Sequence, residues 1–346
     1  MDKRFAFDLN LVEWETWVKE RGFPRYRAAQ IYQWFVKGVQ DTLRMKNIPD
    51  AIRKALSDDF ILQGLLPEKE LISAVDGTRK FIFQLHDGHL VETVLMKYKT
   101  GYSICISSQA GCRMGCAFCA SAHAGFGRDL TSGEMLGQIT VVSDIIGDRI
   151  HNVVVMGIGE PFDNYDNLIE FLKAANDPDG LNLGARHITV STCGIVPQMI
   201  EFIGINLQVN LSVSLHASQD ILRRSMMPVA NQYNLDTLLD ACRQYVNRTG
   251  RRITFEYSLF HGINDSVQDA RDLAGILRGI HCHINLIAAN EFEGSQYKRS
   301  SSEHVRLFQQ ILEQMGMTVT LRREMGTDIM AACGQLRRGM QGSEQK

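Results

Sequence analysis

Hydrophobic and polar positions divide the chain into three stretches with different periods. Over residues 1–75 the apolar residues recur at helical spacing: Trp14 and Trp17 stand three apart, and Val18, Ile31, Tyr32, Trp34 and Phe35 continue the pattern. Pro24 and Pro49 interrupt it. All three tryptophans fall here, which predicts an N-terminal helical accessory domain with a small aromatic core of its own. Residues 76–100 read as a connecting β-hairpin, since runs 80–86 and 89–96 flank Asp87-Gly88, a pair suited to a two-residue turn. From 101 to 340 strand-like segments (102–107, 151–156, 187–191, 209–215, 252–258, 281–287) alternate with helix-like ones (133–147, 165–175, 235–247, 265–278, 303–315). Six βα units predict an α/β fold with a parallel sheet, either an open curved barrel or a doubly wound sheet. Both bind ligands at the carboxyl ends of their strands. Polar residues gather there: Cys112 to Cys119 after the first strand, Gly157 to Glu160 after the second, Ser191 on the third and Ser214 to His216 on the fourth. The tail, 341–346, reads as frayed.

Composition narrows the class. With 346 residues, 45% hydrophobic and 22% charged, the chain can bury a large core without disulfides. A formal net charge of -2 gives no global signal for nucleic acid, so an RNA site must be a local patch. The paired arginines Arg223-Arg224, Arg251-Arg252, Arg322-Arg323 and Arg337-Arg338 read as solvated surface. Asp8, Glu13 and Glu15 exclude a secretory segment, and no apolar run is long enough to span a membrane, so a cytoplasmic location is expected. Of eight cysteines, four fall within positions 105–119, which favours metal or redox chemistry over a disulfide framework.

Three of those four form Cys112-Arg-Met-Gly-Cys116-Ala-Phe-Cys119, a C-x3-C-x2-C spacing. Three thiolates can hold three irons of a [4Fe-4S] cluster and leave the fourth open to a small molecule. A structural zinc site would close its coordination with a fourth protein ligand, for which His123 is the candidate, but no second Cys/His pair lies nearby. The spacing, with Phe118 before the third cysteine, marks the radical-SAM superfamily. There S-adenosylmethionine chelates the open iron, and one electron cleaves it to a 5′-deoxyadenosyl radical.

Beyond the triad, ordered blocks along nearly the whole chain resemble the RlmN/Cfr family of radical-SAM rRNA methyltransferases. They are Val91-Glu92-Thr93-Val94, Cys105-Ile-Ser-Ser-Gln, Met156-Gly-Ile-Gly159-Glu160-Pro161, Ile188-Thr-Val-Ser191-Thr192, Ser214-Leu215-His216 and Ala331-Ala-Cys333-Gly-Gln-Leu336. The resemblance implies a partial (β/α)6 TIM-like barrel with an N-terminal helical accessory domain. It implies methylation of adenine C2 in the peptidyl-transferase loop of 23S rRNA, and of the adenosine 3′ to the anticodon in some tRNAs. Gly159, Glu160, Ser191, Ser214, Leu215, His216 and Asn290 match positions that contact S-adenosylmethionine, two molecules of which are used per turnover. Cys333 matches a cysteine that is first methylated and then, as a methylene radical, adds to C2. Cys105 matches the cysteine that resolves the adduct, leaving a Cys105–Cys333 disulfide that is reduced each cycle. Glu92 matches a proton acceptor; whether Glu92 or Cys105 takes the C2 proton stays open. The implied electron donor is a flavodoxin or ferredoxin.

Cys193, Cys242 and Cys282 match no block and read as small core residues. Asp328-Ile329-Met330 departs from the family's Asp-Ile-Asp, which puts local hydrogen bonding before Cys333 in question. The accessory domain, basic loops and the region of Arg128 are the expected phosphate contacts. Two other readings stand beside this one. The Cfr branch methylates adenine C8 and shares the five cysteines, although Pro161 and the run from Gly184 to Ser191 look more like RlmN. A non-catalytic RNA-binding protein with a structural metal is the alternative from another class.

Overall fold

The computed structural model describes residues 3–123, 125–290, 295–332 and 334–336. Strand β1 (Arg4–Phe5) leads into helices α1 (Leu11–Glu20), α2 (Tyr26–Val36) and α3 (Asp50–Asp59), and β2 (Phe60–Ile61) returns to pair with β1. Asn10 and Glu13 cap α1 reciprocally, each side chain accepting the other residue's backbone N–H. Trp14 lies at the centre, fully buried, stacked on Phe35 at 5.4 Å and edge-on to Trp17 at 5.7 Å.

The chain then forms an antiparallel meander of β3 (Leu65–Ile72), β4 (Arg79–Leu85), β5 (Leu90–Tyr98) and β6 (Gly101–Ile106). A short ribbon, β7 (Gln109–Gly111) with β8 (Phe126–Asp129), encloses the cysteine loop and the turn of helix α4 (Ala120–His123). Strand and helix alternate from there: α5 (Ser132–Ile146), β9 (Ile150–Val155), α6 (Tyr165–Asn176), β10 (Ile188–Thr192), α7 (Val196–Phe202), β11 (Asn210–Ser214), α8 (Asp220–Met226), α9 (Leu235–Thr249), β12 (Ile253–Leu259), α10 (Val267–Leu277), β13 (Cys282–Ala288), α11 (Ser302–Gln314) and β14 (Val319–Leu321). One ten-stranded sheet runs β14-β13-β12-β11-β10-β9-β6-β5-β4-β3, parallel from β14 to β6 and antiparallel beyond. Parallel neighbours follow chain order, and β14 and β3 stand at opposite edges, so the sheet is a partial barrel. Helix boundaries follow ordinary rules. Thr131 and Glu134 box the start of α5, Gly147 ends it in the left-handed region, and Asn234 and Gly250 do the same work for α9.

Three expectations are revised. The helical stretch does not reach residue 75, because 65–72 is strand β3 of the main sheet. Its Pro67, Glu68, Lys69 and Glu70 are exposed, with a bulge between Pro67 and Lys69, as suits a guarded edge that no hydrophobic alternation announces. The hairpin β4–β5 is more than a connector between the two parts; it extends the main sheet. The accessory helices do not keep a separate core either, since Trp14 and Phe35 belong to one buried cluster with Leu65, Phe81 and Met135. The two parts are also joined by Asp8, which accepts the Gly133 N–H at 2.7 Å, and by paired hydrogen bonds from Arg44 to Asp144 at 2.6 and 2.7 Å. Among the described residues, no helix is long and apolar enough to cross a membrane.

Replacing Trp14 with Ala should cost about 3–5 kcal/mol of stability, the usual loss when a buried large aromatic leaves a cavity. Because the core is continuous, a single urea transition should move as a whole; an early separate transition of the N-terminal helices would contradict this.

Candidate active site

The carboxyl ends of the parallel strands open into a cavity of about 170 Å3. The loop after β6 is fixed by main-chain bonds. Cys112 N–H donates to Gly125 at 3.2 Å, Ala117 N–H to Met226 at 2.9 Å and Ala120 N–H to Gly334 at 2.8 Å. Gly111 has φ +93°, and a side chain there would strike the Gly125 carbonyl. This loop places Cys112, Cys116 and Cys119 on the cavity wall. Phe118 packs behind them, edge-on to His216 at 4.9 Å and against Phe260 at 5.3 Å.

Opposite lies the turn after β9. Glu160 is buried, and its carboxylate accepts the N–H groups of Cys193 at 2.7 Å and Phe162 at 3.0 Å. Gly159 sits at φ +110°, where a Cβ would lie 2.7 Å from Ser108 and Gln109. Burial pushes the Glu160 carboxyl up from its ordinary value even against these hydrogen bonds. Lone pairs remain on its oxygens for a cationic ligand group. Ser191, Ser214, His216 and Asn290 line the same cavity. Leu215 does not: it is fully buried in the main core. His216, at φ +56°, accepts the Ser258 N–H on Nδ1 at 2.9 Å, so the neutral ring carries its proton on Nε2. Burial, then the Arg223 charge, lowers its pKa to about 3.

A second, smaller cavity of about 40 Å3 adjoins the first and shares Met156, Ile287, Asn290 and Arg322 with it. Cys105 lines this one, paired in register with Val94 of β5. Cys333 and the tail 341–346 lie outside the described residues. The flanks of Cys333 are described: Ala331 and Ala332 line the second cavity and Gly334 the first. Glu92 lines neither. It is buried in β5, with one carboxylate oxygen 3.6 Å from Lys80 Nζ. Lys80 also donates to the Met330 carbonyl at 3.2 Å. Met330 is itself exposed, and the bonding that holds its segment comes from Asp328, which accepts from Ser73 Oγ at 2.6 Å and Ala74 N–H at 2.9 Å, and from Asp76, which accepts the Gly326 N–H at 2.9 Å.

Several lining residues were not singled out from sequence. Cys193 is buried, as expected, but lines the cavity. Glu256 breaks the apolar run of β12 and lies in the cavity wall, bonded by Asn285 at 2.9 Å and 3.9 Å from Arg322; a carboxylate inside a buried strand was the available signal. The reading of the arginine pairs as solvated surface fails at Arg223, which is wholly buried, and at Arg322, which lines both cavities. Arg337 and Arg338 lie outside the described residues. Arg128 is an unsuitable phosphate contact, since Asp87 and Glu134 already hold its guanidinium.

The donor set fits an iron–sulfur cluster. Burial pushes the Cys112 thiol up to about 12 and the Cys116 thiol well above its ordinary value, and neighbouring thiols add to this, so a bound cation would favour their thiolate forms. Thiolates around one zinc stand ~3.8 Å apart, given Zn–S bonds of about 2.3 Å. Among the described residues the three sulfurs do not close to within 4.8 Å as a set, unlike His261, Asp265 and His304 elsewhere. His123 Nε2 instead lies 3.3 Å from the Ala117 carbonyl.

This partial barrel with three cluster-spaced cysteines at its mouth defines a radical SAM protein, and residues 106–274 match the radical SAM superfamily. Residues 6–62 match the ribosomal RNA large subunit methyltransferase N-terminal domain, and a probable dual-specificity RNA methyltransferase RlmN from Clostridium botulinum is 51% identical over 96% of this chain and 95% of that protein. The chain therefore belongs to the RlmN family of radical SAM RNA methyltransferases, whose cofactors are S-adenosylmethionine and a [4Fe-4S] cluster. The similarly named protein of Alkaliphilus metalliredigens is 46% identical over 100% of this chain and 98% of its own length. A solved radical SAM methyltransferase from Sphaerobacter thermophilus superposes with TM-score 0.93 at 42% identity, covering 96% of this chain and 99% of that one.

The histidine gives a pH test. Its folded pKa of about 3 lies below the ordinary 6.5, so its stabilising contribution is complete above 6.5 and is lost as pH falls toward 3. Cluster-free protein should therefore lose about 2 kcal/mol more stability between pH 7 and pH 5 than a His216→Gln variant, at about 1.4 kcal/mol per pH unit below 6.5. Equal losses, read from urea midpoints, would show that His216 charges freely.

Proposed function

We propose that this chain methylates C2 of an adenosine in the peptidyl-transferase loop of 23S rRNA and of the adenosine 3′ to the anticodon in some tRNAs. Cys333 is the methyl carrier, Cys105 the resolving thiol and Glu92 a proton acceptor, with two S-adenosylmethionine molecules consumed per turnover. The observation that carries this reading is the junction of the two cavities. The cluster-spaced sulfurs line one, Cys105 lines the other, and the residues on either side of Cys333 reach into both, Gly334 the first and Ala332 the second.

Cys112, Cys116 and Cys119 would hold the cluster, and Glu160 with Ser191, Ser214, His216, Asn290 and Gly159 would seat S-adenosylmethionine. When bound, the pair supplies an electron and a reactive carbon radical. The chain's own residues place the reactive sulfur and control the proton. Adenine C2 is too electron-poor for simple attack on a sulfonium methyl, so a carrier thiol beside the radical source meets the need. Asp76, Asp328 and Lys80 steady the strap leading to Cys333. Glu92 lies 3.6 Å from Lys80 Nζ, and Lys80 also donates to the Met330 carbonyl of the strap. A Cys105–Cys333 disulfide forms as the base leaves, and reduction restores both thiols. A flavodoxin or ferredoxin is the class of donor for the electrons. Relatives of about 50% identity named as RlmN favour C2 over the C8 chemistry of the Cfr branch.

Anaerobic incubation with rRNA and methyl-labelled S-adenosylmethionine, followed by nucleoside mass spectrometry, should give 2-methyladenosine; 8-methyladenosine would overturn the regiochemistry. Cys333→Ala should abolish methylation and purify without an S-methyl group. Persistence of that group would overturn the assignment of Cys333. Cys105→Ala should accumulate a protein–RNA crosslink, and a variant that releases product at the parent rate would remove Cys105 from the scheme.

A further inference from the structure

Among the described residues Arg223 is the largest charged side chain that is fully buried, and no carboxylate among them forms an ion pair with it. Its Nε donates to the Leu215 carbonyl at 3.2 Å, and its Nη2 to the carbonyls of Cys193 at 2.7 Å and Ser214 at 3.2 Å. Its Nη1 is buried with no partner. Carbonyl dipoles satisfy some of its N–H groups but do not neutralise a whole charge, and an isolated buried cation is costly. The ionisable groups that feel it are mainly thiols and an imidazole (Cys193, Cys116, Cys242 and His216), together with the Asp220 carboxylate. Asp220, on the same helix, makes no ion pair with it and has one oxygen engaged by the Leu235 N–H at 2.9 Å.

The position explains what a matching anion would be. Arg223 lies on α8, whose last residue, Met226, accepts the Ala117 N–H directly beside Cys116. Met226 and Met227 pack with Cys193 against Met114, Cys116 and Phe118. The guanidinium therefore sits behind the cysteine loop, on the side away from water. A [4Fe-4S] cluster held by three thiolates is an anion, and it gains a further negative charge when reduced. The three carbonyls that hold Arg223 belong to the ends of β10 and β11, the same strand ends that line the cofactor cavity.

We propose that Arg223 is the built-in counter-charge of the cluster: it favours assembly on Cys112, Cys116 and Cys119, and it raises the cluster's reduction potential by favouring the reduced, more negative state. Arg223 acts through the cluster's surroundings and is a positioning residue. This inference rests on the radical SAM site alone and is independent of which carbon of adenine is methylated.

The test is an EPR-monitored redox titration of anaerobically reconstituted full-length protein without RNA or S-adenosylmethionine, with iron and sulfide content measured first. Arg223→Gln keeps a hydrogen-bond donor and removes the charge. At a fixed poise its reduced fraction relative to oxidised should fall about tenfold, equivalent to about 59 mV for a one-electron couple. Arg223→Lys keeps the charge and should stay within about threefold of the parent. Should the Arg223→Gln protein fail to fold, Cys242→Asp, which sets a carboxylate near the guanidinium while sparing its carbonyl bonds, should lower the reduced fraction in the same direction. Loss of iron from the Arg223→Gln variant but not from Arg223→Lys would support the same assignment. An unchanged potential in a loaded Arg223→Gln or Cys242→Asp variant, or equal shifts in the two Arg223 variants, would overturn it, leaving Arg223 as a strut for two strand ends.

Discussion

Charge withheld from water is the constraint around which this site is built. Three thiols stand on one cavity wall, a carboxylate on another and a guanidinium behind, all inside a shell of parallel strands. Among the described residues, none of these groups is neutralised by a protein partner in contact. Burial raises the Cys112 and Cys116 thiols and the Glu160 carboxyl above their ordinary values. A metal cluster and a zwitterionic sulfonium ligand together would provide the missing charges. The site therefore specifies its cofactors by what it leaves unbalanced as much as by the ligands it offers.

The barrel makes that arrangement possible. Parallel strands in chain order deliver their carboxyl ends to one rim, so short turns after β6, β9, β10 and β11 bring distant residues together. Close backbone packing fixes the turns: glycine at 111 and 159 admits the approach of a neighbouring chain that any side chain would block. The antiparallel meander β3–β5 then widens the sheet beside the second cavity. It carries Glu92 and Lys80, and its β3–β4 turn holds the C-terminal strap through Asp328 and Asp76. The meander thus couples the accessory side of the molecule to the segment bearing Cys333.

Much of this was legible in the residues. The alternation of strand and helix located all six central strands to within a residue or two, and the triad with its ordered blocks indicated the chemistry. What escaped had physical reasons. Strand β3 lies at an edge, so charged residues that protect it also erase its alternation. Strand β14 has three residues, too short for any period. Leu215 shares a block with two cavity residues, yet, just past the end of β11, it packs into the core. Arg223 sits beside Arg224 in a sequence that looks like solvated surface, and only the packing of α8 against the cysteine loop separates the buried member from the exposed one. The wall residues Cys193 and Glu256 come from strand ends and interiors whose direction a sequence does not give.

The claim on which the account stands is that the metal centre has one corner the polypeptide leaves vacant, to which S-adenosylmethionine binds. Electron–nuclear double resonance on the reduced, cluster-loaded protein, with the cofactor carrying nitrogen-15 in its amino group and oxygen-17 in its carboxylate, reads that contact directly. Resolved couplings from both labels are expected. A loaded cluster that binds the cofactor without either coupling, or whose four irons are all ligated by protein, would contradict the account.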